Sequence, residues 1–270
     1  FPNTNDKLYK NFWPASLHVI GKDILRFHAI YWPAFLLAAN IKPPIRVFSH
    51  GWILSGEEKM SKSKGNILNP LEIINTYGND ELRYYLMKEV PHGSDGNISL
   101  KSLENCINSD LANNYGNLCQ RVFSFIKNNC GNKVSKRRNI SKSDKNLIEQ
   151  TKILTKDLRK QMDEQNLNNY IKSVINISFL TNKYINDEEP WKLKETNTEK
   201  MNNILHISLE QIAKISILLN PIIPKKSSKV LDSLNINTDM RNLEFLDGKN
   251  IIGDEITIKK LDILFKKTTS

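Results

Sequence analysis

Apolar positions along this chain change their period three times, and those changes divide it. Residues 16–20, Ser-Leu-His-Val-Ile, read as a short strand that ends at Gly21-Lys22-Asp23. Ile24, Phe27, His28, Tyr31 and Phe35 then recur at three- and four-residue spacing, which predicts a helix. Pro33 falls inside that pattern and predicts a kink, or a new first turn after a break. Pro43-Pro44 stops the element, and residues 45–49 form a second strand ending at His50-Gly51-Trp52. Residues 69–77 read as a short helix stopped by Gly78, and residues 80–87 as another with Leu82, Tyr85 and Leu86 on one side. Residues 91–96 are a turn-rich connector. From Ser102 onward the period is helical: Leu111, Tyr115, Leu118, Val122 and Phe125 make one stripe, and further helices fall at 167–185 and 201–219, broken at Pro221 and Pro224. No internal repeat is visible.

Strand, helix and strand at this spacing predict a parallel crossover unit. In such sheets ligands bind beyond the carboxyl ends of the strands, where both Gly21-Lys22-Asp23 and His50-Gly51 fall. The fold class is therefore α/β plus all-α, a parallel-sheet part followed by a helical bundle. The 270 residues suffice for a sizeable core and more than one domain. With 39 % hydrophobic residues and a mean hydropathy of −0.45, the chain reads as globular and without a membrane span.

A net charge of +10 and a pI near 9.3 favour a polyanionic partner, although abundant Asn, Lys and Ile make part of that charge compositional. The three cysteines, Cys106, Cys119 and Cys130, fit neither a metal site nor an even disulfide framework, and a reducing cytoplasm is the simplest setting. The chain opens at Phe1, without a signal-peptide pattern, in what reads as the middle of a domain.

Candidate chemistry concentrates at a few places. Residues 57–66 carry Lys59, Lys62 and Lys64 among small hydroxyl residues, closed by Gly65-Asn66. A mobile loop of this kind suits a polyphosphate, because ammonium groups are compact charges on flexible stems; the alternative is a solvated turn. Asp23 is a helix cap or a rim ligand. His28 and Trp32, four apart, are core residues or pocket walls, and His50 is a strand-end histidine or a rim group. Asn117 and Arg121, also four apart, lie about a quarter turn off the bundle stripe, as surface polarity or as a reader of base edges or phosphates. Trp191 follows a helix-ending proline segment, where it closes the bundle or stacks on an unpaired base. Lys136-Arg137-Arg138 lies in a basic stretch, 133–145, that reads as a solvated linker or a phosphate contact.

Several runs resemble known synthetases. Lys59-Met60-Ser61-Lys62-Ser63 matches, letter for letter, the lysine signature of class I aminoacyl-tRNA synthetases. Phe12-Trp13-Pro14-Ala15, Gly21-Lys22-Asp23-Ile24, Phe27-His28 and Trp32-Pro33, followed by His50-Gly51-Trp52, resemble the methionyl-tRNA synthetases in the same order. Residues 113–121 and 182–191 resemble that family's anticodon-binding elements. The resemblance implies the second part of a Rossmann-like catalytic domain over 1–55, a lysine loop and stem-contact region over 56–101, and a helical anticodon-binding domain over 102–270. It implies that ATP and adenylate are bound by Gly21, Asp23, His50, Lys59, Met60, Ser61, Lys62 and Ser63, with Lys59 and Lys62 neutralising pyrophosphate. Methionine is assigned to Asp23, His28 and Trp32, and the anticodon to Asn117, Arg121 and Trp191. The implied reactants are methionine, ATP with Mg2+ and tRNA(Met). No magnesium ligand is identified, zinc is not expected in this portion, and the oligomeric state is left open. The family's first ATP motif is absent, so the chain reads as a carboxyl-terminal half that alone is not expected to form methionyl-adenylate efficiently. The rivals are a non-catalytic tRNA-binding module and a valyl- or isoleucyl-type synthetase.

Overall fold

The structure is a computed structural model that describes residues 6–55, 58–59, 68–91, 93–135, 137–248 and 251–268. The chain forms two compact units: Phe1–Leu68 with Glu89–Ile98, and Asn69–Lys88 with Ser99–Ser270.

In the first unit a short helix α1 (Asp6–Phe12) precedes strand β1 (His18–Gly21). A 3-10 turn (Lys22–Ile24) and a π-helical turn (Phe27–Tyr31) lead into α2 (Trp32–Ala38), and β2 (Val47–His50) follows. Strands β1 and β2 pair in parallel from His18↔Val47 to Gly21↔His50, as the strand–helix–strand pattern predicts. Pro33 sits in the first turn of α2, where its missing N–H costs no hydrogen bond. Strand β3 (Ile53–Ser55) pairs antiparallel with β4 (Glu58–Lys59) and parallel with β5 (Gly96–Ile98).

One expectation is corrected here. The lysine-rich segment does not begin as a free loop, because Glu58 and Lys59 form β4 opposite Ser55 and Leu54. The helix read from Ile24, Phe27, His28, Tyr31 and Phe35 is present, interrupted by the π turn; in this segment Ile20 and Leu36 are buried, while Ile24, Phe27, Tyr31 and Phe35 are exposed.

In the second unit α3 (Pro70–Tyr77) is capped by Asn69, whose Oδ1 accepts from Leu71 N at 3.0 Å. Gly78, at φ +113°, ends it in a conformation that favours glycine. Helix α4 (Asn79–Glu89) leads, after β5, to α5 (Leu100–Cys106), a π-helical stretch (Ile107–Gly116) and α6 (Asn117–Asn129). A Cβ at Gly116 would lie 2.7 Å from Leu111 O, so the close π turn requires glycine there. The predicted stripe holds at Leu111, Tyr115, Leu118 and Val122, but Ile126 takes the buried place expected for Phe125. Leu118, Val122 and Ile126 follow at four-residue spacing along α6, so the buried row continues to 126 rather than stepping to 125.

Beyond α6 come β6 (Lys133–Val134), α7 (Lys142–Thr155), α8 (Leu158–Asp163), α9 (Leu167–Glu188), α10 (Thr198–Leu219) and α11 (Pro224–Ser233). Strand β7 (Ile256–Thr257) returns to pair antiparallel with β6. Helix α10 is the core of the unit: from Ile204 to Leu219 it is buried on nearly all sides. Two of its buried polar side chains are tied across to neighbours, Ser216 bonded to Tyr115 at 2.7 Å and Gln211 Oε1 accepting from Thr151 at 2.9 Å.

Asp80 and Arg83 of α4 both tie that helix to the junction of α10 and α11. Asp80 Oδ2 accepts from Lys226 N at 2.7 Å, and Arg83 donates to the carbonyls of Ile222 and Pro221, each at 2.8 Å. The basic stretch is likewise more than a solvated linker. It contains β6, Arg137 pairs with Glu210 at 3.0 Å, and Arg138 N donates to Asn203 at 2.9 Å. Lys136 lies outside the described residues.

One carboxylate joins α7 to α9. Asp144 Oδ2 accepts from Ser141 N at 2.9 Å in a capping box, and Oδ1 accepts from Tyr184 at 2.6 Å. Replacing Asp144 by Ala is expected to cost about 2–3 kcal/mol in urea unfolding, the sum of a lost cap and an orphaned hydroxyl. Burial pushes the hydroxyls of Tyr115, Tyr170 and Tyr184 well up from their ordinary value. The folded chain therefore holds protons that the unfolded chain releases near pH 10. Stability is expected to be intact below that pH and to fall as pH rises through it, as alkaline unfolding monitored by circular dichroism would record.

Candidate functional site

The register of β1 and β2 builds one rim. Gly21 and His50 are paired at the carboxyl ends of the two strands, and the position a Cβ would take on Gly21 lies 3.7 Å from both Asp23 Oδ2 and His50 Cε1. Gly21, Asp23 and His50, expected at one site, are thus neighbours. Gly21 occupies the N-cap position of the turn that holds Asp23, so Asp23 does not serve as the cap. Its Oδ2 accepts from the Trp52 indole Nε1 at 2.8 Å. His50 Nδ1 donates to Gly51 O at 2.8 Å, which assigns the proton to that nitrogen.

Trp52 belongs to a further group whose role was not read from the sequence. Asp95 Oδ1 accepts from Trp52 N at 2.8 Å, and both Asp95 oxygens accept from Lys22 Nζ, at 2.6 and 2.7 Å. Lys22 Nζ also lies 3.9 Å from the Trp52 ring centroid, in cation–π contact. The Lys22 ammonium and the Trp52 N–H hold the Asp95 carboxyl below its usual range. The connector 91–96, expected to be only a turn, supplies this carboxylate and the first residue of β5. The signal was present in the sequence as Gly51, which leaves room for backbone: a Cβ there would lie 2.1 Å from Ser94 C and O.

His28 and Trp32 are brought together, with ring centroids 5.8 Å apart and both half-buried. Trp32 also meets His18 at 5.0 Å and Trp13 at 5.8 Å, so the wall is an aromatic cluster of which the sequence assignment covered half. His28 Nδ1 donates to Ile24 O at 3.0 Å. His18 begins β1 and Gly21 ends it; at about 3.3 Å per residue the cluster and the rim lie roughly 10 Å apart along the strand. Of the lysine segment, the backbone of Lys59 is in β4. Met60, Ser61, Lys62 and Ser63 lie outside the described residues.

In the helical unit Arg121 and Trp191 come together. The Arg121 guanidinium carbon is 5.9 Å from the Trp191 ring centroid, and the indole is 44 % exposed, on the surface rather than closing the bundle. Arg121 Nη2 donates to Asn186 Oδ1 at 2.7 Å, and Nη1 reaches Asn182 Oδ1 at 3.5 Å. Asn182 is fixed in turn by the buried Asn114, whose Oδ1 accepts from Asn182 Nδ2 at 3.0 Å and from Ser178 Oγ at 2.7 Å. Asn117 is exposed one helical turn before Arg121. Asn182 and Asn186 stood in the segment singled out by resemblance but carried no assigned role.

Among the described residues no group of three or more His, Cys, Asp or Glu is placed to hold a metal ion. Nor, among them, is any helix long and apolar enough to cross a membrane.

Comparison with known proteins agrees with both units. Residues 2–123 match the family model of class I tRNA synthetases (M), and residues 134–270 match that of the anticodon binding domain of methionyl tRNA ligase. Class I tRNA synthetase is thus the class that the parallel rim and the helical unit define together. The chain belongs to the methionyl-tRNA ligase family. It is 42 % identical to the methionine–tRNA ligase of Brucella suis over 241 residues, which is 89 % of this chain and 47 % of that protein. It is 40 % identical to that of Rickettsia conorii over 271 residues, 94 % of this chain and 52 % of the relative. The solved methionyl-tRNA synthetase of Mycobacterium tuberculosis bound by methionyl-adenylate superposes with a TM-score of 0.92 at 33 % identity, covering 98 % of this chain and 53 % of that one. The chain spans about half the length of the curated relatives it matches.

Because the 94–95 backbone occupies the space beside Gly51, Gly51→Ala is expected to displace it. Amide exchange at Trp52 and Gly96, whose N–H groups bond Asp95 Oδ1 and Trp52 O, should then accelerate on the order of tenfold or more. Hydrogen exchange read by NMR checks this; unchanged rates would mean that the connector is not held there.

Proposed function

We propose that the protein activates methionine with ATP and transfers it to tRNA(Met), and that this chain supplies part of the activation site and the anticodon reader. The observation that carries the reading is the parallel register that sets Gly21 beside His50, with Asp23 next to both. In this reading the Asp23 carboxylate receives the methionine ammonium group or the adenylate ribose, and Gly21 permits close backbone approach. The aromatic faces of His28 and Trp32 receive the thioether, a polarisable group suited to ring contact. The methionine carboxylate attacks the α-phosphate of ATP, pyrophosphate leaves, and the terminal ribose of the tRNA takes the aminoacyl group. Lys59 and Lys62, with Met60, Ser61 and Ser63, meet the pyrophosphate, and His50 borders the adenine or phosphates. Bound Mg2+, arriving with ATP, would offset phosphate charge; no residue is assigned to it. Positioning and charge stabilisation account for most of the catalysis in such a reaction.

The sheet part, the lysine segment with its connector, and the helices from about residue 102 correspond in this reading to activation, stem contact and anticodon recognition. The exposed Trp191 beside Arg121, with Asn117 one turn away, supports the last. A cytoplasmic setting accords with free thiols at Cys106 and Cys119, the second pushed well up by burial and so kept as an unreactive thiol.

Two measurements test the reading on the protein as its gene encodes it. Trp191→Ala is expected to weaken binding of a tRNA with the CAU anticodon by roughly 10- to 100-fold, the worth of one stacked base, and to change binding of a tRNA with another anticodon far less. Equal losses on both would remove the anticodon assignment. Asp23→Asn is expected to reduce methionine-dependent ATP–pyrophosphate exchange; tRNA binding without exchange in the unmutated protein would leave only a tRNA-binding module.

A further inference from the structure

Asn117, Gln120, Ser124 and Lys127 recur along α6 at three- and four-residue spacing, so they share one face of that helix. Asn117, Gln120 and Lys127 are exposed and Ser124 is half-buried, while Leu118, Val122 and Ile126 face the core. At about 1.5 Å per residue the stripe runs about 15 Å from Asn117 to Lys127. Its members Gln120, Ser124 and Lys127 form one wall of a groove, and Lys259, Lys260 and Asp262, just after β7, form the other. The second wall is pinned. Ile258 N donates to Asn132 O at 2.9 Å and Lys259 N to Ser233 O at 2.7 Å, which continues the pairing of β6 with β7. Ile256 and Ile258 are buried and Thr257 and Lys259 exposed, the alternation of a strand, so Lys259 meets solvent from a fixed backbone.

Positive charge gathers here without matching negative charge. Among the described residues no carboxylate lies within ion-pair distance of Lys127 or Lys259. Asp262, the carboxylate of the groove, is taken by Lys260 at 2.8 Å. Lys260, and more weakly Lys229 of α11, hold that carboxyl below its usual range. The groove, about 180 Å³, is smaller than the roughly 300–1,000 Å³ of small-molecule sites, so its charged rim rather than its interior is the binding element. We propose that this rim is a phosphate-contact site for the tRNA strand that leads away from the anticodon: with a base at Asn117 and Trp191, the backbone further along the strand crosses Lys127 and Lys259. The inference rests on the anticodon role proposed for Asn117, Arg121 and Trp191. At about 3.4 Å per nucleotide, the stripe spans about four nucleotides, so base and phosphate contacts fall on one anticodon hairpin. Ammonium groups are compact point charges that hold phosphates without reading bases. Stability does not account for the arrangement. Lys127, in the last turn of α6, suits the helix dipole, but Lys259 lies in extended backbone, and gathering like charges opposes folding.

The test compares the protein as its gene encodes it with W191A, with the double variant K127A/K259A, and with a control, K152A/K156A, which removes two exposed lysines at the end of α7. Each is titrated by fluorescence anisotropy with an RNA hairpin of the anticodon stem-loop, carrying CAU or another anticodon, over a range of NaCl concentrations. Lys127 and Lys259 are exposed, so their truncation leaves the core intact. K127A/K259A is expected to weaken both hairpins by the same factor, on the order of tenfold at low salt. It should also flatten the slope of log K against log [NaCl] by about 1 to 2, the signature of lost phosphate contacts. K152A/K156A should leave affinity and slope unchanged. If K127A/K259A changes neither while W191A still weakens the CAU hairpin selectively, the inference is overturned and the anticodon reading stands. If the control variant loses as much as K127A/K259A, diffuse charge rather than this groove attracts the RNA, and the inference is overturned. A loss confined to the CAU hairpin would overturn it too, because phosphate contacts carry no sequence preference. If the unmutated protein does not prefer the CAU hairpin and W191A changes nothing, the anticodon reading falls and this inference with it.

Discussion

The rim depends on the pairing of β1 with β2 in one register. Side chains alternate across a strand, so a slip of one residue would turn Val19 and Phe48 to the other face and separate Gly21 from His50. Nothing in two four-residue strands fixes that register strongly. The pairing is reinforced from outside: Ile45 N donates to Ala15 O and His18 N to Arg46 O, each at 2.9 Å, which extends the ladder before both strands begin. At the other end Gly51 admits the 94–95 backbone, and Gly96 N donates to Trp52 O at 2.9 Å. The functional end of the sheet is thus held by a segment some forty residues later in the chain.

The helical unit meets its own constraint differently. Helix α10 is apolar on nearly every side, and burying it demands helices all round. Several of the polar groups that this encloses are paired: Tyr170 donates to Leu218 O at 2.7 Å, and Asn114 serves both Ser178 and Asn182. Such a network, once complete, permits one arrangement of helices rather than several. Its outermost members are Asn182 and Asn186, which hold the Arg121 guanidinium. The geometry at the surface is therefore fixed from the core, and on the proposed anticodon role an arriving base would meet groups already ordered, which lowers the entropic cost of binding.

Much of this was legible in the sequence where a residue type has one dominant use. Pro33 marked a kink or a first turn, Gly78 a stop, and Pro221 with Pro224 a break; the structure has a first turn at Pro33, a helix end at Gly78, and α10 ended before Pro221. The strand–helix–strand unit was legible from period, and the closeness of Gly21, Asp23 and His50 followed from where ligands bind in parallel sheets. What was not legible has a common cause. Which side of a helix faces the core depends on its turn type and on what packs against it: a π-helical turn falls at Phe27–Tyr31, and along α6 both three- and four-residue steps fit one stripe, of which the four-residue step to Ile126 is the buried one. Partners of a polar residue depend on distant backbone: nothing local to Asp80 points to Lys226, or to Asp95 points to Lys22. Only the glycine at 51 recorded, indirectly, that another strand passes close by.

The charge of the protein is a poor guide to its sites, and the reason is informative. Several of its basic groups are matched by carboxylates: Lys22 by Asp95, Lys88 by Asp110, Arg137 by Glu210, Lys226 by Glu81. A lysine matched in this way contributes little field to an incoming anion. Arg121 is different, because its hydrogen-bond partners Asn182 and Asn186 are neutral amides and its other neighbour is an indole face. At this proposed recognition point a charged group is held still by neutral acceptors, so its orientation is set while its charge stays available to a ligand. A carboxylate in place of Asn186 would hold the guanidinium as firmly and cancel the charge it presents. On the proposed function, net charge serves approach of a polyanion, and a charge held by neutral amides, as at Arg121, serves recognition.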